Sequence, residues 1–260
     1  MKVTALIENT TKGNMKVEHG LSLYIETARH KILFDTGQST LFLENAKALG
    51  VDLSQVDICI LSHGHYDHGG GLKAFTEVND HAPIYMNRYA FDEHYHGPTR
   101  YIGLNRAWLA DEEFMKRIIF TDGDVEIDEE LRLLSPRKEH RVEIDSDGLI
   151  MREGDTYLLE DFRHEHYLEV SQQQYKFLIS GCSHQGILNI MEWFHPDILI
   201  GGFHFMRHAL DDTLLDLAKG LNEFHTTYYT CHCTGVEQYD FIQPQIEHLH
   251  YLAEGDSIEV

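Results

Sequence analysis

No stretch of this 260-residue sequence approaches the ~20 unbroken apolar residues that a membrane span requires. The opening Met1-Lys2-Val3-Thr4-Ala5-Leu6-Ile7-Glu8 is too short in apolar length and too soon charged for a secretory signal, which makes the cytoplasm the expected compartment. Cysteine is scarce. Cys59, Cys182, Cys231 and Cys233 are too few for a disulfide framework in a chain this long, and Cys59 sits inside an apparent core strand, so reduced thiols are expected. Positive charge is scarce too, with 21 Lys and Arg against 43 Asp and Glu, a formal net charge of -22. Such a field repels polyanions, which argues against nucleic acid as a partner, although bound divalent cations would invert the potential locally and admit a small anionic substrate. Pro/Ser-rich linkers, low-complexity tracts and clear internal repeats are absent as well, so one domain over 1-260 is expected.

What the sequence does have is apolar material for a core, 42% hydrophobic and 11% aromatic, in alternating strand-like and helix-like segments. Leu21 to Glu26 alternates with period two and Lys31-Ile32-Leu33-Phe34 reads as its hairpin partner. A helix is expected over 40-49, stopped by Gly50, then a strand over 56-62 and a short helix over 72-78. The stretch 88-147 has weaker periodicity and much aromatic and charged content, and reads as a lid-like insertion. Order returns with strands over 175-180, 197-200, 226-230 and 257-260, and helices over 186-194 and 212-224. Mixed elements in this order predict an α/β chain with sheets covered by helices.

Directly behind the apolar run Val56 to Ser62 stands His63-Gly64-His65-Tyr66-Asp67-His68. Imidazole nitrogen and carboxylate oxygen are the light-atom ligands that a zinc-class cation prefers. On an extended or turning backbone His63 and His65 point the same way and can share one ion, while Asp67 and His68 turn toward a second; Gly64 keeps the turn free of bulk. With 19 histidines in the chain, a histidine-rich surface loop is the alternative, but such a loop has no reason to follow a buried strand and precede Gly69-Gly70-Gly71.

Three later strands also end on histidine, at Gly181-Cys182-Ser183-His184, Gly201-Gly202-Phe203-His204 and Cys231-His232-Cys233-Thr234-Gly235. Strand-end loops are where rigid scaffolds hold functional groups. His184 and His232 are the preferred further ligands, His204 an orienting or substrate-facing group, and Cys182 a competitor as ligand, since thiolate binds zinc well. Cys231 and Cys233 receive no role. His164-Glu165-His166 imitates a ligand pair but reads as part of a strand. Asp35, before Thr36-Gly37, is either a turn residue or a carboxylate that orients a ligand histidine.

The run HGHYDH resembles the HxHxDH signature of the metallo-beta-lactamase superfamily. Glu18-His19-Gly20-Leu21-Ser22, Phe34-Asp35-Thr36-Gly37, the segment 181-187, Gly201-Gly202-Phe203-His204 and His232-Cys233-Thr234-Gly235 resemble one branch of it, the proteins related to the archaeal dihydropterin ribofuranosyl-aminobenzene phosphate synthase. The resemblance covers nearly the whole chain and implies a four-layer αββα sandwich, with His63, His65, Asp67 and His68 as ligands and later histidines completing the site; His19 is a further candidate as a ligand or orienting group. Two departures stand out. The aspartate that bridges the metals in many members has no counterpart, Cys182 or His184 standing near its place, and Asp161 to His166 differs from the expected acidic Asp-Glu-Gln pattern.

The expected chemistry is hydrolysis by a metal-bound hydroxide at a centre of two divalent ions, zinc first, with manganese or iron as alternatives. His63, His65 and His184 would hold one ion and Asp67, His68 and His232 the other, Asp67 also acting catalytically. The expected substrate is a small anionic phosphoester, lactone or thioester. The alternatives are a synthase-like condensation of a pterin diphosphate with an aromatic amine, served by Tyr95, Tyr101, Trp108, Arg100 and Arg106, a non-catalytic metal-holding sensor, and redox chemistry at iron.

Overall fold

The computed structural model describes residues 1-259, which fall into two compact units. The first comprises Met1–Gly123, Gly148–Glu160 and the chain from Ala253 on; the second comprises Asp124–Asp147 and Asp161–Leu252.

The first unit is built on a seven-stranded sheet in the order Ser257–Glu259, Lys2–Ile7, Ser22–Glu26, Lys31–Phe34, Ile58–Ile60, Ile84–Asn87, Ile118–Thr121. The expected hairpin is present, with Leu23 opposite Phe34. From Lys31–Phe34 onward the pairing is parallel. Parallel neighbours need a crossover, and the helices Leu41–Ala48 and Leu72–Val78 supply two of them. Phe42, Ala46, Leu72 and Phe75 on these helices pack with Leu6, Leu33, Cys59 and Ile84 on one sheet face. The opposite face, with Leu23, Ile25, Ile32, Phe34, Ile58 and Ile60, is equally buried. Burial on both faces is why the parallel strands read as unbroken apolar runs. A smaller antiparallel sheet of four strands, Thr156–Leu159, Leu149–Glu153, Glu93–His96 and Arg100–Tyr101, completes this unit.

The second unit has its own seven-stranded sheet, in the order Leu249–Tyr251, Thr227–Thr230, Ile198–Gly201, Tyr175–Ile179, Tyr167–Gln172, Leu131–Leu134, Val125–Glu126. Its first three pairings are parallel and the rest antiparallel. Helices Ile187–Phe194, Asp212–Leu221 and Val236–Ile242 bury Ile190, Leu214, Ala218 and Ile242 against Leu178, Leu199 and Tyr228. The Asp212–Leu221 helix starts where Asp211 caps it, its carboxylate accepting from Thr213 N at 2.9 Å.

The expected helices and strands outside 88-147 are present within a few residues of their expected bounds, whereas the strands Lys2–Ile7, Ile84–Asn87 and Leu249–Tyr251 and the helix Val236–Ile242 were not anticipated. The expected strand over 56-62 contracts to Ile58–Ile60, because a 3₁₀ turn over Leu53–Gln55 occupies its approach and Ser62 leaves the ladder to bond Asp35. The expected 212-224 helix stops at Leu221. His164-Glu165-His166 is not part of a strand; it precedes Tyr167–Gln172, and all three residues are buried. The 88-147 stretch contributes strands to all three sheets, among them the edge strands Arg100–Tyr101, Ile118–Thr121 and Val125–Glu126. No helix among the described residues is long and apolar enough to cross a membrane.

Glu254 gives the first unit a pH dependence. Its carboxylate is buried, accepts from Glu8 N at 3.3 Å and from Asn45 Nδ2 at 2.5 Å, and is pushed up to about 7, chiefly by burial and then by the charges of Glu8 and Glu18. Between its ordinary 4.5 and about 7 the folded protein holds a proton that the unfolded chain has released. Stability is therefore expected to fall as pH rises through that window. Urea midpoints followed across it should show this fall, and Glu254→Gln should flatten it; an unchanged slope in the variant would assign the effect elsewhere.

Candidate metal centre

In the first unit, the adjacent parallel strands Lys31–Phe34 and Ile58–Ile60 end at the same edge of the sheet, which brings Asp35 beside Ser62; Asp35 N donates to Ile60 O at 2.8 Å. Asp35 is fully buried and adopts a left-handed backbone, φ 59°. One carboxylate oxygen accepts from Ser62 N and the other from Ser62 Oγ and from His68 Nδ1, each at 2.7 Å. The Ser62 hydroxyl has one proton, which it gives to Asp35, so it accepts from His63 Nδ1 at 2.8 Å. Both histidines thus carry hydrogen on Nδ1 and present Nε2 as the lone-pair nitrogen. Asp35 makes the bond expected of an orienting carboxylate, and through Ser62 it orients a second ring as well.

The rest of HGHYDH turns away from the strand. Tyr66 N donates to Ile102 O at 2.8 Å, and the single helical turn Tyr66–Gly69 follows. The ring of His63 lies 4.6 Å from that of His65 and 4.1 Å from that of His68, centroid to centroid, and all three are buried. The Asp67 carboxylate lies 3.9 Å from His68 Nε2 and 3.2 Å from Nε2 of His19, which is half-exposed. Two ligands at ~2.1 Å from one zinc-class ion stand about 3.4 Å apart. The three imidazoles and the carboxylate gathered here are the donor types that such a cation takes.

In the second unit the three strand ends carry His184, His204 and His232 as expected, and Ser183, His204 and His232 all have left-handed backbones, φ 59°, 59° and 50°. Strain of this kind at non-glycine residues clusters where structure serves a site. Cys182 presents its sulfur within 4.8 Å of a ring nitrogen of His184 and of one of His232. All three residues are buried. His204 packs its ring 4.3 Å from that of His184, and burial pushes its imidazole down to about 4, against the opposing pull of Asp147. Gly201 has a specific reason to be glycine: at φ 145° a Cβ there would stand 2.0 Å from Ser180 O, where one strand end crosses its neighbour. Cys233 donates to Cys182 O at 3.5 Å, a packing role.

Glu165, given no role from the sequence, holds the His184 loop in place. Its carboxylate accepts from His184 N at 2.9 Å, Gln185 N at 3.1 Å and Tyr167 Oη at 2.7 Å, while Phe162 stacks on the His184 ring at 4.5 Å. His94 and Glu160, in the first unit, were also not anticipated. His94 Nδ1 donates to Glu160 Oε2 at 2.7 Å, with both side chains almost wholly buried. No local motif marks these two residues, which come together across 66 positions of sequence.

The sequence matches the model of the metallo-beta-lactamase superfamily over residues 15–219, more than three quarters of its length. The chain belongs to the metallo-beta-lactamase superfamily. An uncharacterised protein of Methanocaldococcus jannaschii is 32% identical over 252 residues, with 90% of each chain covered. From the same organism, 7,8-dihydropterin-6-methyl-4-(beta-D-ribofuranosyl)-aminobenzene-5'-phosphate synthase is 27% identical over 248 residues, covering 84% of this chain and 81% of its own. Among solved structures, a metal-dependent hydrolase of the beta-lactamase superfamily is 29% identical with a TM-score of 0.85, covering 100% of this chain and 99% of its own. The expected α/β fold class and superfamily both hold, and the branch resemblance is borne out by similarity to the synthase.

Proposed function

We propose that this superfamily member is a metal-dependent hydrolase of small anionic esters, of the phosphoester, lactone or thioester class. In the first unit His63, His65, Asp67 and His68 would supply metal ligands, and in the second unit His184 and His232 would, with Cys182 as the alternative donor beside those two. The observation that carries the reading is the Asp35 carboxylate, which fixes His68 directly and His63 through Ser62, so that both present Nε2 as donor. Nitrogen donors with one carboxylate suit zinc first and manganese or iron next. Such ions supply a nucleophile at neutral pH and stabilise negative charge on the substrate oxygen.

The protein's own residues do the rest. Asp67 orients the attacking water and accepts its proton at Oδ2, with His19 Nε2 at 3.2 Å positioned to share it. His204, kept neutral by burial beside His184, can donate a hydrogen bond to bound substrate without adding charge. Glu165 keeps the His184 backbone fixed while substrate exchanges.

Similarity to the synthase supports a second reading, condensation of a pterin diphosphate with an aromatic amine. The residues considered for it are each engaged within the protein. Tyr95 packs edge-on against Tyr101 at 5.2 Å, Trp108 lies on Phe114 at 5.4 Å, Arg106 pairs with Glu93, and Arg100 donates to Tyr66 Oη at 3.4 Å.

A panel of phosphoesters, lactones and thioesters, assayed beside a pterin diphosphate with an aromatic amine and with zinc, manganese or iron supplied, tests the reading. Turnover of one ester class is expected, and Asp67→Ala should lose roughly 10²- to 10⁴-fold in activity along with bound metal. Full turnover in that variant would sink the scheme. Reaction only with the pterin substrate would favour the synthase, stoichiometric metal without turnover a sensor, and redox-active iron the third alternative, redox chemistry.

A further inference from the structure

HGHYDH has a second carboxylate-oriented histidine beside it, and no superfamily signature in the sequence includes it. His94 lies on the strand Glu93–His96 of the small sheet, and Glu160 directly follows the strand Thr156–Leu159 of the same sheet. Their side chains are each 1% exposed. At 2.7 Å the carboxylate accepts the Nδ1 hydrogen of His94, which leaves Nε2 as the lone-pair nitrogen of that ring. Asp35 and His68 repeat this arrangement at the same distance in the same unit. The His94 ring stands 5.5 Å from that of His65 and nearly perpendicular to it, at 79°. Ligand atoms of His65, His94 and Glu160 all lie within 4.8 Å of one another.

We infer that His94 is a further metal ligand, acting through Nε2 on a cation shared with His65, and that Glu160 is the carboxylate that fixes its tautomer and aim. A buried imidazole held by a buried carboxylate matches the arrangement in which metal-binding histidines donate their other N–H to an acid, raising ligand basicity. Perpendicular rings let two imidazoles approach one ion without stacking. An added nitrogen donor moves this end of the centre toward zinc or iron and away from magnesium or calcium, which prefer oxygen. The inference deepens the metal-dependent reading above and rests on it.

The test uses the full chain, freed of metal with a chelator and titrated with zinc against a chromogenic competitor, in parallel with thermal unfolding with and without zinc. Glu160→Gln is expected to weaken zinc binding roughly 10- to 100-fold, and His94→Ala to weaken it further. In both variants the rise in Tm produced by zinc should shrink, while the metal-free Tm changes less. A lowered metal-free Tm with the zinc-induced rise and the zinc affinity intact would assign the pair a structural role and overturn the inference. Wild-type protein that binds no zinc at all would overturn the metal-dependent reading itself. Wild-type binding with unaffected variants would overturn only the role of His94.

Discussion

Asp35→Asn is expected to cost the protein both stability and metal. The substitution leaves the backbone nearly undisturbed, because asparagine tolerates the left-handed conformation at φ 59° almost as well as aspartate. What changes is the acceptor. The buried carboxylate receives Ser62 N, Ser62 Oγ and His68 Nδ1, all at 2.7 Å; an amide has one oxygen to offer and turns an NH₂ donor toward at least one of these donors. Hydrogen bonds to a charged group contribute about 1.5–3 kcal/mol each, and a buried donor left facing another donor costs more. A loss of roughly 2–4 kcal/mol in urea unfolding is expected, with zinc affinity down roughly 10- to 100-fold because His63 and His68 lose their fixed tautomers. Zinc affinity equal to the parent's, measured against a competing chelator, would show that Asp35 does not orient the ligands.

Gly64→Ala should be nearly as damaging without altering any polar group. A Cβ at residue 64 would stand 2.2 Å from Ala90 O and 2.9 Å from Ala90 C and Cα, all backbone atoms with no side-chain torsion to relieve the clash. Either the loop carrying Ala90 moves or the His63-Gly64-His65 turn does. Overpacking a buried contact costs about 1–3 kcal/mol, and a clash with backbone belongs at the upper end. Displacement of the turn would also separate His63 and His65, now 4.6 Å apart between ring centroids, so zinc stoichiometry should fall with stability. A variant with the parent's urea midpoint and full metal content would mean that the segment around Ala90 yields easily.

The two substitutions differ in how legible their partners were. Gly64 could be read as a residue that frees the turn, because it sits between two ligand-type histidines, but the sequence gives no hint that Ala90 is what it must clear. Asp35 could be read either as a turn residue or as an orienting carboxylate. The pairing of Phe34 with Ile60 across parallel strands decides between them, because it delivers both strand ends to one edge. Glu165 and the His94–Glu160 pair carried no usable signal. The His164-Glu165-His166 triplet drew attention to its histidines, whereas its glutamate is the residue that binds the His184 loop.

The sequence by itself determined that this is an α/β chain with a histidine-rich metal motif at a strand end, in the metallo-beta-lactamase superfamily, and that three later strands end on histidine. These features are local: period-two apolar runs, small residues beside histidines, and ligand types packed into six positions. Only the tertiary structure decided which acids serve those histidines, assigning Asp35 to His68 and, through Ser62, to His63, Glu165 to the His184 loop, and Glu160 to His94. A carboxylate's role is set by the donor it faces after folding, and strand order rather than sequence distance chooses that donor.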